Sequence, residues 1–140
     1  MICRLSIFLL FALLLSACGN SDPEFDNLEE EIRYLINEDR YEEALNRLEP
    51  LDRDEPETAR LLEMTYLNYG LHMMDTFDEQ EMRTRMNEAM RHFTEVLRIN
   101  PDNEMARNQI DQILDVYDTI PNRDPEPDVL DGLREVGYSL

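Results

Sequence analysis

Two stretches of this chain, 45 residues apart, repeat one pattern: "YEEALNRLEPLDRDEPETA" (residues 41–59) and "MNEAMRHFTEVLRINPDNE" (residues 86–104). In register, Ala44 falls on Ala89, Leu48 on Phe93, Leu51 on Val96 and Pro56 on Pro101. A small residue followed one turn later by a large apolar one lies on a single helical face. The small residue lets a neighbouring helix come close, and the large one fills the space beyond it. The proline withholds an amide donor and ends the helix. A unit used twice in this way implies helices that stack to share their apolar faces.

Helical spacing continues on both sides of the repeat, while alternating apolar residues of strand type are absent and the chain has only 4 glycines. A first helix is expected from Pro23, capped by Ser21 or Asp22 with Ser21 and Glu24 at capping-box spacing. Its inward residues would be Phe25, Leu28, Ile32, Leu35 and Ile36. The turn Asn37-Glu38-Asp39-Arg40 leads to a second helix with Tyr41, Ala44, Leu45, Leu48 and Leu51 inward, which Pro50 should stop or kink early. A third helix follows Pro56. A fourth runs from about Glu79 to Ile99, with Asp78 and Glu81 spaced as a capping box, and a fifth from about Asn103 to Thr119.

The repeat resembles the tetratricopeptide (TPR) family in phrases such as "DRYEEAL" and "INPDNEMARNQI". The resemblance spans about Phe25 to Tyr117 and implies an all-α fold, a short TPR-like solenoid of helical hairpins with about two and a half repeats. Two departures stand out. Ile32, Tyr66 and Asp111 replace the glycine or alanine usual in the first helix of each pair. The 45-residue spacing exceeds the 34 of a standard TPR by about three turns, which the third and fourth helices would absorb by being long. In this family the first helices line a groove for a peptide or partner helix. By register the groove would hold Glu29, Arg33 and Asn37 from the first helix, Glu63 and Leu67 from the third, and Asn108, Gln112 and Asp115 from the fifth.

After Thr119 the chain changes character. "IPNRDPEPD" is rich in proline and should break the array, and Val129, Leu130, Leu133 and Val136 then share a helical face. Asp128 is the expected N-cap and Gly137 the stop. Residues 120–140 therefore read as a proline-rich linker and a C-terminal helix that caps the array, with partner docking as the rival role.

The first residues are of another kind. Arg4 precedes an apolar block, Leu5 to Leu15, too short for the roughly 20 residues of a membrane-spanning helix but of secretory-signal length. The ending Leu15-Ser16-Ala17-Cys18 resembles the lipobox of bacterial lipoproteins. That resemblance implies a signal peptide at 1–17, lipid on Cys18, a linker at 18–22 and a helical domain at 23–119. Gly19 after the cysteine points by the same resemblance to the outer membrane, with the domain facing the periplasm. More than one acyl chain on Cys18 would make the anchor firm.

The chain carries a net charge of −19. Nucleic acid is thereby excluded as a partner, because binding it requires cations to neutralise phosphates. All 13 basic residues are arginine, a lysine-free, acid-rich pattern similar to that of proteins from saline habitats. With Cys3 in the signal and Cys18 lipidated, no thiol remains for a disulfide, metal or catalysis. His72 and His92 lack a companion at metal-ligand spacing, and neither "DRDE" nor "DPEPD" has the spacing of a calcium loop. No catalytic residues, metal or cofactor are expected. Met82, Met86 and Met90 form one stripe, read as core filling or, alternatively, as an exposed apolar patch that grips a partner.

The expected function is that of a membrane-tethered scaffold in the cell envelope, binding a basic or neutral segment of an envelope protein rather than acting as an enzyme. The alternative is a small-molecule-binding accessory of an envelope transport system. Self-association is a further expectation, since a short array can bury its ends against a copy.

Overall fold

The computed structural model describes residues 23–75, 81–120 and 123–140. Among them the chain is all-helical, with six α-helices and no strand. The signal segment, Cys18, Ser21 and Asp78 lie outside the described residues.

Helix α1 (Leu28–Asn37) begins later than the Pro23 start predicted from sequence. Asn27 is its cap: the side chain accepts from the Glu30 amide at 2.9 Å, and the Glu30 carboxylate accepts from the Asp26 amide at 3.1 Å. This reciprocal cap sits directly before an acidic first turn, Glu29 to Glu31, where the helix dipole favours negative charge. Phe25 therefore precedes the helix, and its ring lies 5.1 Å from that of Tyr34.

A tight turn joins α1 to α2 (Tyr41–Leu48). The Asp39 and Arg40 amides donate to the carbonyls of Ile36 and Leu35, closing α1 with a Schellman motif. The motif needs a left-handed residue, and Asp39 supplies it at φ 57°. Helix α2 stops at Leu48, as Pro50 demands. Leu51 is consequently in the following turn and 36% exposed, whereas its repeat equivalent Val96 is wholly buried. Pro56 is the first residue of α3 (Pro56–Asp75). Pro101 instead precedes Asn103, the N-cap of α5 (Glu104–Thr119), so the two prolines begin their helices differently. The extra length of the repeat is carried by α3, with 20 residues, and α4 (Met82–Ile99), with 18.

Helix α6 (Pro127–Glu135) is capped by Glu126 rather than Asp128, because Pro127 takes the first helical position and sets its φ. Gly137 at φ 99° follows the helix, as read from the sequence. Helices α1, α2 and α3 pack mutually, α4 packs on α3, and both α5 and α6 pack on α4. Ile32, Ala44, Leu48 and Leu61 centre one apolar cluster; Met90, Phe93, Ile110 and Leu133 centre another. Tyr66 on α3 touches both.

One close approach joins α3 to α4. A Cβ on Gly70 would lie 2.5 Å from Cε1 of Phe93, whose ring is wholly buried. The small residue required at this crossing is thus Gly70, one turn beyond Tyr66, where the sequence resemblance places it.

Candidate functional site

The eight groove residues do not form one continuous set. Glu29 on α1 accepts from Arg33 at 2.9 Å and from Arg60 of α3 at 2.5 Å. These guanidinium groups, Arg60 first, hold its carboxyl below the usual range. Glu63 is engaged inside the fold: its Oε1 accepts from the Asn100 and Asn103 amides, both at 2.8 Å, tying α3 to the α4–α5 turn. Leu67 is half-buried against the second cluster. Arg33 and Asn37 are exposed on α1, and Asn108, Gln112 and Asp115 are exposed on α5. Since α1 packs on α2 and α3 while α5 packs on α4, the exposed candidates stand on helices that share no substantial packing with each other.

The methionine stripe faces inward. Met86 and Met90 are buried core residues and Met82 is half-buried against them, so they form no exposed patch. Their i, i+4, i+8 spacing puts them on the side of α4 that carries Phe93 and Leu97 into the core. Met105, outside the stripe, is 52% exposed.

A different set of residues converges where the α1–α2 turn meets the far end of α3. Asp39, Arg40, Tyr41, Glu42, Tyr69 and His72 line a cleft of about 380 Å³, together with Glu43 and Met73. The floor is an aromatic stack: Tyr41 lies on Tyr69 at 4.8 Å and 10°, and Tyr69 lies on His92 at 4.0 Å and 22°. His72 tilts against Tyr41 at 5.1 Å.

The polar groups follow from the turn. In its left-handed conformation Asp39 accepts a hydrogen bond from the Tyr41 hydroxyl at 3.0 Å and lies 3.3 Å from Nδ1 of His72. Arg40 forks onto Glu43, donating to its two carboxylate oxygens at 2.8 and 2.6 Å. Burial pushes the Tyr41 phenol up to about 12, helped by the Asp39 and Asp75 carboxylates. Burial, with Glu42 and Glu88 nearby, likewise raises Tyr69. Desolvation drives His92 down to about 4, so the imidazole in the stack is neutral at neutral pH.

Sequence reasoning set His72 aside because it lacks a companion at metal-ligand spacing, and singled out no residue of this cleft. The available signal was the spacing of Tyr66, Tyr69 and His72, which forms one row along α3. The partners Asp39, Tyr41 and Glu42 come from a segment some 30 residues earlier. Among the described residues no group of three or more His, Cys, Asp and Glu side chains could hold a metal ion. No family model matches this chain, and no curated protein or solved structure matches it either.

Proposed function

We propose that this chain is a protein-interaction module of the bacterial cell envelope, a short TPR-like array tethered at the outer membrane through lipid on Cys18 and facing the periplasm. The supporting observation is the equal burial of the two residue pairs that the sequence repeat aligns. Ala44 and Ala89 hold corresponding places in the repeat and are both wholly buried, each followed one turn later by a buried large residue, Leu48 or Phe93. Small-then-large packing repeated in successive hairpins builds stacked arrays, whose exposed faces serve extended partners. The lipobox-like ending at Cys18 supports the tether. The acidic surface favours a basic or neutral segment of an envelope protein.

Photo-reactive residues placed at Arg33 and Gln112 in the native host test this, with exposed Asp131 on α6 as comparison. A discrete envelope protein captured at Arg33 or Gln112 but not at Asp131 is the expected result. Only self-crosslinks, or none, would turn the assignment to an oligomer. The cleft at Asp39 favours a second reading, a small-molecule-binding accessory of a transport system. Thermal stabilisation by small cations without any protein partner would select it.

A further inference from the structure

Helix α6 is fastened less completely than the helices it covers. It has 9 residues, a length that cannot hold a helix by itself, and Gly132 in its second half lowers its propensity further. Val129 and Leu133 are its two buried side chains. Its substantial packing is on α4. Toward α5 the fit is open: a cleft of about 300 Å³ is lined by Leu114 and Tyr117 of α5 and by Leu130 and Arg134 of α6.

The strap that leads into the helix, residues 124–126, lies on a polar floor. Arg83 donates to the Asp124 carbonyl at 3.3 Å, and the Glu126 amide donates to Oδ1 of Asn87 at 3.1 Å. Asn87 is wholly buried and Tyr117 is 4% exposed. Yet Nδ2 of Asn87 and the Tyr117 hydroxyl have no hydrogen-bond partner among the described residues. Burial raises the Tyr117 phenol; Arg83 and Asn87 stand near enough to oppose that rise, but neither reaches the oxygen with hydrogen-bond geometry. Two polar groups have therefore given up water without a replacement, and lifting the strap would return them to it. The remaining ties, from Arg91 to Glu126 and Asp128 and from Arg98 to Glu135, engage exposed carboxylates and hold weakly.

We propose that the strap and α6 form a latch, which opens as a unit while α1–α5 stay folded. Shut, it covers Asn87 and Thr94 on α4. Open, it bares both and releases Arg91 from Glu126 and Asp128. The body does not need the latch, since α4 keeps its packing on α3 and α5. The inference goes beyond the interaction module and does not depend on it.

The test is amide hydrogen exchange of the full chain in nonionic detergent, read by NMR at urea concentrations below the unfolding transition. The Leu130 and Leu133 amides should be protected at least tenfold less than those of Phe93 and Ile110. Their exchange should also rise less steeply with urea, because a local opening exposes little surface. Tyr117→Phe removes the unpartnered hydroxyl from the closed state and should slow α6 exchange about tenfold. Tyr41→Phe removes a hydroxyl that is bonded to Asp39, on a helix remote from α6 in the packing order. It should leave α6 exchange unchanged even where it speeds exchange in α2.

Exchange of α6 in step with Phe93 and Ile110, at the same urea slope, would overturn the proposal. So would α6 exchange that Tyr117→Phe leaves unchanged or accelerates, or that Tyr41→Phe accelerates along with the rest of the chain. None of these results bears on crosslinking at Arg33 and Gln112, so the two assignments fall separately.

Discussion

Gly70 and Phe93 show how one atom decides a helix crossing. Replacing Gly70 by alanine gains about 1 kcal/mol of helix propensity. It also places a methyl 2.5 Å from a buried aromatic ring, and overpacking of that kind costs about 1–3 kcal/mol. The ring is wholly buried and cannot swing into solvent, so the clash wins. Gly70→Ala should lower the urea midpoint, and adding Phe93→Leu should be less damaging in that background than in wild type. Additive effects would show that the ring retreats freely. His92 supplies a second residue-scale prediction. Its folded pKa of about 4 lies below the ordinary 6.5, so between these values the unfolded chain binds the extra proton. Stability is complete above pH 6.5 and declines as pH falls toward 4, by up to about 3 kcal/mol. Tyr66 and Tyr69 face the imidazole from α3, while Glu95 and Arg91 act on it in opposite senses from α4. Many carboxylates titrate at the lower end of this window, so the difference from His92→Phe isolates the imidazole. That variant keeps the stack and should lose less stability on acidification; parallel curves would refute the assignment.

Helix α6 separates the forces that hold an element from those that aim it. Arg91 of α4 donates to Asp128 at 2.9 Å and to Glu126 at 2.6 Å, and Arg98 donates to Glu135 at 2.8 Å, so guanidinium groups grip both ends of the helix. Between them Val129 and Leu133 are buried, and a Cβ on Gly132 would meet Thr94 at only 3.4 Å. Exposed ion pairs are worth at most about 1 kcal/mol, while truncating a buried leucine costs about 2–5 kcal/mol. Leu133→Ala should therefore raise amide exchange throughout α6, whereas Arg91→Ala should affect mainly its first turn; the reverse order would make the arginines the principal attachment. The helices themselves were largely legible. The start of α5 near Asn103, the stop imposed by Pro50 and the glycine after α6 depend on residues within a few positions of each other. The start of α1 was not, because the Pro23 signal competes with the Asn27–Glu30 cap, which satisfies the Asp26 and Glu30 amides. The cleft was illegible for a stronger reason. Asp39 and Glu42 meet Tyr69 and His72 only after α1, α2 and α3 have packed, and no local spacing encodes that meeting. Gly70 is similar: a lone glycine in a helix becomes informative once Phe93 is known to face it.

Over the whole molecule, charge sets a problem that the fold answers only locally. The 32 acidic residues exceed the 13 arginines by the net charge of −19, so even complete pairing leaves a repelling surface. The arginines take up short contacts: Arg60 reaches Glu29 at 2.5 Å, Arg91 reaches Glu126 at 2.6 Å, and Arg47 reaches Glu31 at 2.8 Å. Salt acts differently on these two populations. The screening length falls from about 30 Å at 0.01 M to about 3 Å at 1 M. Pairs below 3 Å stay largely within that length, while repulsion among carboxylates many ångströms apart is removed. Screening should therefore stabilise the fold even though it weakens each exposed pair slightly. The melting temperature followed by circular dichroism at 222 nm should rise by several degrees from 0.01 to 1 M sodium chloride. Arg60→Gln should melt lower at both concentrations and show a similar rise. A melting temperature that is flat or falls with salt would mean that the arginine pairs, rather than the excess carboxylates, dominate the electrostatics of the folded chain.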